Sequence, residues 1–149
     1  MIKLENICKK FPLGKDNLEV LNNINIEITE GEFVAIMGTS GSGKSTLMNI
    51  IGCLDNITSG NYQLFNEEIT RYESKELAKI RNLKIGFVFQ QYFLLPRLNV
   101  YQNIELPLIY AGIKKQERMA RVDTVLNKVG LIEKKTTFLT HYLEDKSSV

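Results

Sequence analysis

Tryptophan is absent from the 149 residues, histidine occurs once, cysteine twice and proline three times. Cys8 and Cys53 lie far apart, and neither forms a metal-ligand spacing with His141. Both cysteines read as buried free thiols of a reducing cytosol. No run of about 18 apolar residues occurs, so nothing is expected to span a membrane. The opening Met1-Ile2-Lys3-Leu4-Glu5 alternates at once and carries no secretory signal. Internal repeats, low-complexity tracts and linkers are missing too. Neither sign of charge dominates: 19 Lys and Arg against 17 Asp and Glu give +2, too near neutral to point to nucleic acid. What is there, 44% apolar and 24% charged residues, has the make-up of an ordinary globular protein. The length suits one domain with a real core.

One stretch organises the rest: Gly38-Thr39-Ser40-Gly41-Ser42-Gly43-Lys44-Ser45-Thr46. It fits G-x-x-x-x-G-K-[ST], with Gly38, Gly43, Lys44 and Ser45 at the fixed positions. The glycines let backbone wrap a phosphate closely, and successive N–H groups form an anion nest at a helix N-terminus. Lys44 would reach the β- and γ-phosphates as a mobile charge, and Ser45 would ligate Mg²⁺. The alternative is a flexible Gly/Ser turn, but chance gives such a match in roughly 0.5% of chains this long. The pattern also requires a preceding strand and a following helix. Phe33-Val34-Ala35-Ile36-Met37 is an unbroken apolar run, as in a strand buried on both faces. Leu47, Ile50, Ile51 and Leu54 follow at helical spacing.

Elsewhere the patterns are local. Residues 2–10 predict a strand that Phe11-Pro12 ends. Leu18 to Ile28 predicts a second, broken at Asn22-Asn23, and Glu30-Gly31 a turn. Together they suggest an antiparallel sheet with one wet face, beside a buried parallel strand. A helix is expected from Lys44 to about Leu54, then a turn at Thr58-Ser59-Gly60 and a strand from Tyr62 to Phe65. Ser74 is placed to cap a helix through Leu83. Ile85-Gly86-Phe87-Val88-Phe89 predicts another buried strand, with Gln90 and Gln91 at its carboxyl end, near the phosphates. Asn99 is placed to cap a helix through Tyr110 that Pro107 kinks. Met119, Val122, Val125, Leu126 and Val129 form a stripe over Lys114 to Gly130, and Gly130 suits the position just past its end. Lys114, Lys115, Arg118, Arg121, Lys128, Lys134 and Lys135 make this half basic, as a solvated face or a contact for an acidic groove.

Several stretches together resemble the nucleotide-binding domain of ABC transporters. They are Val20-Leu21-Asn22-Asn23-Ile24, then Gly31-Glu32-Phe33-Val34-Ala35-Ile36-Met37-Gly38 with the loop that follows. Leu47-Met48-Asn49-Ile50-Ile51-Gly52-Cys53-Leu54-Asp55 is similar to the branch that exports macrolides, antimicrobial peptides and lipoproteins. Gly86-Phe87-Val88-Phe89-Gln90, Leu94-Leu95-Pro96 and Gln102-Asn103-Ile104-Glu105-Leu106-Pro107-Leu108 resemble its Q-loop and coupling region. The likeness runs to about residue 139. It implies an α/β fold: a P-loop NTPase core of ABC ATPase type with an antiparallel β-subdomain and part of a helical subdomain. Residues 1–90 would supply the β-subdomain and P-loop core, and 91–149 the partial helical subdomain.

The resemblance also implies roles. Phe11 takes the place of the family's aromatic residue that stacks on adenine, usually Tyr; the other reading is a core aromatic. Gln90 matches the glutamine that contacts Mg²⁺ or the attacking water, with Gln91 its rival. ATP would thus be held by Gly38 through Thr46, Phe11 and Gln90, with Ser45 and Gln90 as metal ligands. The implied partners are a transmembrane permease of an exporter and a second nucleotide-binding domain, with no nucleic acid. The implied place is the cytoplasm, peripheral on the inner face of the membrane.

One departure stands beside the match. After Phe138-Leu139-Thr140-His141-Tyr142-Leu143 the family would continue into Leu-Ser-Gly-Gly-Gln, whereas Glu144-Asp145-Lys146-Ser147-Ser148-Val149 follow here. The signature, the Walker B aspartate, the catalytic glutamate and the switch histidine do not occur. His141 falls before the signature position, and no apolar strand precedes Glu144 and Asp145. The expectation is an ATP-binding subunit truncated before its signature and not hydrolytically competent. The alternatives are a non-catalytic nucleotide-binding regulatory module and an inert fragment.

Overall fold

In the computed structural model, which describes residues 1–89 and 93–138, a long hairpin comes first. Its strands are β1 (Ile2–Leu13) and β2 (Asp16–Ile28), paired antiparallel from Ile2↔Ile28 to Leu13↔Asp16. Pro12 does not end β1. It pairs with Asn17 beside the turn, where the extended backbone that proline imposes suits a strand end. Asn22-Asn23 does not end β2 either; the register shifts between Ile7 and Lys9 and the ladder resumes. Asn6 and Asn23 take φ of 52° there, and the Asn6 N–H donates to Asn25 Oδ1 at 2.8 Å. The bulge is therefore satisfied by an asparagine side chain.

β3 (Ser59–Leu64) and β4 (Glu67–Glu68) complete an antiparallel sheet in the order β2-β1-β3-β4. Ser59 and Gly60, expected in a turn, belong to β3. α1 (Lys44–Ile51) buries Leu47 and Ile50 in one cluster with Leu4, Ile7, Leu21, Cys53, Tyr62 and Leu64. It stops short of Leu54, because Gly52 caps it and Cys53 turns to φ 56°. α2 (Ser74–Lys84) adds Leu77 to the cluster. Its cap is Glu73 rather than Ser74, and the Glu73 N–H donates to Glu76 Oε2 at 2.9 Å.

Two expected strands are not found. Phe33–Met37 and Ile85–Phe89 are irregular, with Phe33 98% and Val88 102% exposed. An unbroken apolar run signals two buried faces only when strands flank it. Among the described residues no strand pairs with either run, so no parallel strand lies beside the antiparallel sheet.

The chain divides into two units, Met1–Ile85 and Gly86–Val149. In the second, Phe87 stacks on Phe89 at 5.4 Å, and Phe89 meets Phe93 edge-on at 4.8 Å. α3 (Val100–Tyr110) starts as expected at Asn99, whose Oδ1 accepts from the Gln102 N–H at 2.8 Å. The Asn103 amide bonds Leu95 and Leu98, fastening the preceding loop to α3. α4 (Lys115–Lys128) buries Val122 and Leu126, while Met119, Val125 and Val129 of the stripe stay exposed. Gly130 follows with φ 70°, the left-handed residue that closes a helix end. Arg118 Nε bonds Glu105 Oε1 at 2.8 Å and ties α4 to α3. Among the described residues, no helix is long and apolar enough to cross a membrane.

Candidate functional site

The glycine-rich loop lies between the irregular Phe33–Met37 run and α1. Its conformation needs glycine at Gly43 in particular. Gly43, the N-cap of α1, has φ 85°, and a Cβ there would lie 2.9 Å from Leu21 Cδ2 and 3.0 Å from the Val20 carbonyl oxygen. A Cβ on Gly38 would meet Ser42 Oγ at 2.7 Å. The loop is thus drawn tight at both ends, against β2 at one and against itself at the other. Within it the Ser42 N–H bonds the Thr39 carbonyl at 3.3 Å. Thr39, Ser40, Gly41 and Ser42 are exposed.

Lys44 opens α1 and folds back over this loop. Its Nζ donates to the Thr39 carbonyl oxygen at 2.5 Å and to Ser42 Oγ at 3.4 Å. Among the described residues it has no carboxylate partner, and the first turn of α1 contains no acidic residue. The positive charge and the N-terminal end of the helix dipole therefore add without an internal counter-ion. Ser45 is exposed, and its hydroxyl has no partner among the described residues. Thr46 is half-buried. A cradle too tight for a Cβ and a cation without a counter-charge fit a phosphate group.

Phe11 lies on the outer part of β1, opposite Leu18 and 37% exposed. Lys9, two residues earlier, is buried at 9% exposure, with Nζ 4.8 Å from the Phe11 ring centroid. The same ammonium bonds Asp55 Oδ1 at 2.7 Å and the Asn56 carbonyl oxygen at 2.6 Å. Sequence reasoning missed Lys9. The available signal was its spacing, since residues i and i+2 of a strand share a face.

Gln90 and Gln91 lie outside the described residues, as do His141, Glu144 and Asp145. Among the described residues no three His, Cys, Asp or Glu side chains converge as metal ligands. Of the two thiols, Cys53 is buried and Cys8 only partly so, a correction to the expectation for Cys8. Burial pushes the Cys53 thiol above its ordinary range, with opposing effects from the Tyr62 hydroxyl and the Arg81 charge.

Residues 21–148 match the ABC transporter family. The chain is 58% identical over 134 residues to the ABC transporter ATP-binding protein YknY of Bacillus subtilis (strain 168), covering 90% of this chain and 58% of YknY. It is 52% identical over 141 residues to the macrolide export ATP-binding/permease protein MacB of Campylobacter fetus, covering 95% of this chain and 22% of MacB. The chain therefore spans just over half of YknY and about a fifth of MacB. Among solved structures it resembles the ATP-binding cassette MJ0796, a dimer in a post-hydrolysis state bound to ADP and Pi. That match has a TM-score of 0.81 and 45% identity, and covers 93% of this chain and 61% of the other. The irregular apolar runs, the antiparallel sheet and the loop ahead of α1 are thus parts of an ABC ATPase cassette. The chain belongs to the ABC transporter family, within its ATP-binding domain.

Proposed function

We propose that the chain binds Mg-ATP through Gly38–Thr46 as part of the ATP-binding subunit of an ABC-type exporter. The observation that carries this reading is the tight loop ahead of α1, with Lys44 free of any carboxylate among the described residues. On binding, the Lys44 ammonium would leave the Thr39 carbonyl for phosphate oxygens, a charge-assisted contact worth more than the neutral one it replaces. Loop N–H groups would receive the remaining oxygens. Ser45 and Gln90 would hold Mg²⁺, which when bound neutralises charge on the phosphates. Phe11 would stack on adenine.

We read residues 1–90 as the β-subdomain and P-loop core and 91–149 as part of the helical subdomain. A permease would be the membrane partner, at the cytoplasmic face, and a second such domain would complete a dimer. The resemblance points to the branch that exports macrolides, antimicrobial peptides and lipoproteins. These 149 residues contain no Leu-Ser-Gly-Gly-Gln and no apolar strand ending in an acidic pair. We read the stretch as the nucleotide-binding part of the ATPase domain, with the hydrolytic groups outside these 149 residues. Calorimetry with ATP and ADP tests the phosphate site: Lys44→Ala should weaken both by about 2 kcal/mol. Equal affinity of the variant and the unmodified chain would refute the assignment.

A further inference from the structure

We propose that Lys9 is a positioning residue for the nucleobase, setting the ring of Phe11 from one side so that a purine stacks on the other. The inference rests on the reading above that Phe11 meets the base. Phenylalanine has no polar atom, so no hydrogen bond can fix its ring in a partly exposed site. The directional contact it does make is with Lys9, 4.8 Å from Nζ to the ring centroid. That ammonium is itself held on two sides, by Asp55 Oδ1 at 2.7 Å and the Asn56 carbonyl oxygen at 2.6 Å. Asp55 Oδ1 also accepts the Asn56 N–H at 2.8 Å, so the anchor is braced by its own backbone. Lys9 is the buried charged residue among those described, whereas its neighbour Lys10 is exposed.

A buried ion pair adds little net stability, so the distinctive effect of this one is geometric. A cation over one face of an aromatic ring is attracted by its π electrons and draws them towards itself. The opposite face becomes electron-poorer and a better partner for an electron-rich purine. Lys9 would therefore act on nucleobase affinity without touching nucleotide. Its effect should be absent for a ligand that has phosphates and no base.

The test is calorimetry of the 149-residue chain with ATP and with inorganic triphosphate. The variants are Lys9→Met, Lys9→Arg, Phe11→Ala and the Lys9→Met/Phe11→Ala double. We expect Lys9→Met to weaken ATP about threefold to tenfold, the range of a partly desolvated cation–π contact, and to spare triphosphate. Lys9→Arg should restore ATP binding, and Lys9→Met should add nothing once Phe11 is alanine. Absence of ATP binding, or Phe11→Ala leaving ATP affinity unchanged, would overturn the stacking reading and this inference with it. A selective loss in Phe11→Ala beside a silent Lys9→Met would overturn this inference alone. So would a Lys9→Met that weakens both ligands equally. Should Lys9→Met not fold, Asp55→Asn decides, because it keeps the ammonium and loosens its anchor. A loss of about twofold to fivefold for ATP alone supports the proposal, and unchanged ATP affinity refutes it.

Discussion

Gly60 of β3 and Asn6 of β1 approach so closely that a Cβ on Gly60 would lie 2.6 Å from the Asn6 carbonyl oxygen. Gly60 also has φ 111°, a conformation that L side chains rarely adopt. This is the stretch where β1 and β3 shift register, between Glu5 and Cys8. Two backbones meet there with no room for a side chain on one of them.

Gly60→Ala should therefore destabilise the first unit by about 2–4 kcal/mol, combining positive-φ strain with a backbone clash. Gly14→Ala is the control, since its φ is also positive but nothing lies within 4 Å of a Cβ there. Urea unfolding should show a small loss for Gly14→Ala and a much larger one for Gly60→Ala. Equal losses would show that the close approach has no energetic weight.

Tyr62 is buried and donates its hydroxyl to the Ile51 carbonyl oxygen at 2.7 Å. Burial first, and then neighbouring Cys53, raise its phenol well above the ordinary 10.0. The folded state thus holds this proton more tightly than the unfolded state. The contribution is fully present below about pH 10 and declines as pH rises past the unfolded value. Tyr62→Phe should cost about 1 kcal/mol at pH 7 and flatten the alkaline limb of stability. Urea midpoints between pH 7 and 11 would reveal it, and parallel curves for the two proteins would contradict it.

Phe33, Met37 and Val88 are exposed at 98%, 88% and 102%. Apolar segments without strand partners are templates for association. The 149-residue chain should bind hydrophobic dyes and precipitate at micromolar concentration. Phe33→Ser combined with Val88→Ser should raise solubility while moving the melting temperature by less than about 3 °C. A marked drop in melting temperature would show these side chains to be buried in solution.

ATP turnover by these 149 residues should stay at background. Transfer of the γ-phosphoryl group needs in-line geometry, an oriented water and donors for the developing charge. General-base loss alone removes about 10²–10⁴-fold of rate. Phosphate release should match that of Lys44→Ala. Release near 1 s⁻¹ or faster, the usual enzymatic range, that Lys44→Ala abolishes would send the search for a carboxylate to Glu67, Glu68, Glu144 and Asp145.

Features encoded within a few residues were legible in the sequence. Asn99 caps α3 within one helical turn, and Gly130 closes α4, because both depend on neighbours in the chain. The glycine spacing of Gly38–Thr46 was legible, but the contacts that make Gly43 tight, with Val20 and Leu21 of β2, lie far back along the chain. The strand expected at Phe33–Met37 was not formed, since strandness depends on a ladder partner that apolarity cannot supply. Lys9 was invisible as a buried charge because Asp55 and Asn56, its partners, lie far along the chain. Asn22-Asn23 looked like a break for want of knowing that the Asn25 side chain would satisfy the bulge opposite, at Asn6.

The central place of β1 has a consequence for the order of events during synthesis. Leu4 pairs with Ile26 on one side and with Tyr62 on the other. The first closure completes within the hairpin, whereas the second encloses the whole loop and α1. Each doubling of loop length adds only about 0.6 kcal/mol to closure entropy. The delay is thus one of availability rather than of cost. A chain leaving the ribosome exposes Gly38–Thr46 before it exposes the strand that shuts the core over Leu47 and Ile50. Ribosome-stalled chains released just before and just after β3 should therefore differ in nucleotide retention, although both carry the same nine loop residues.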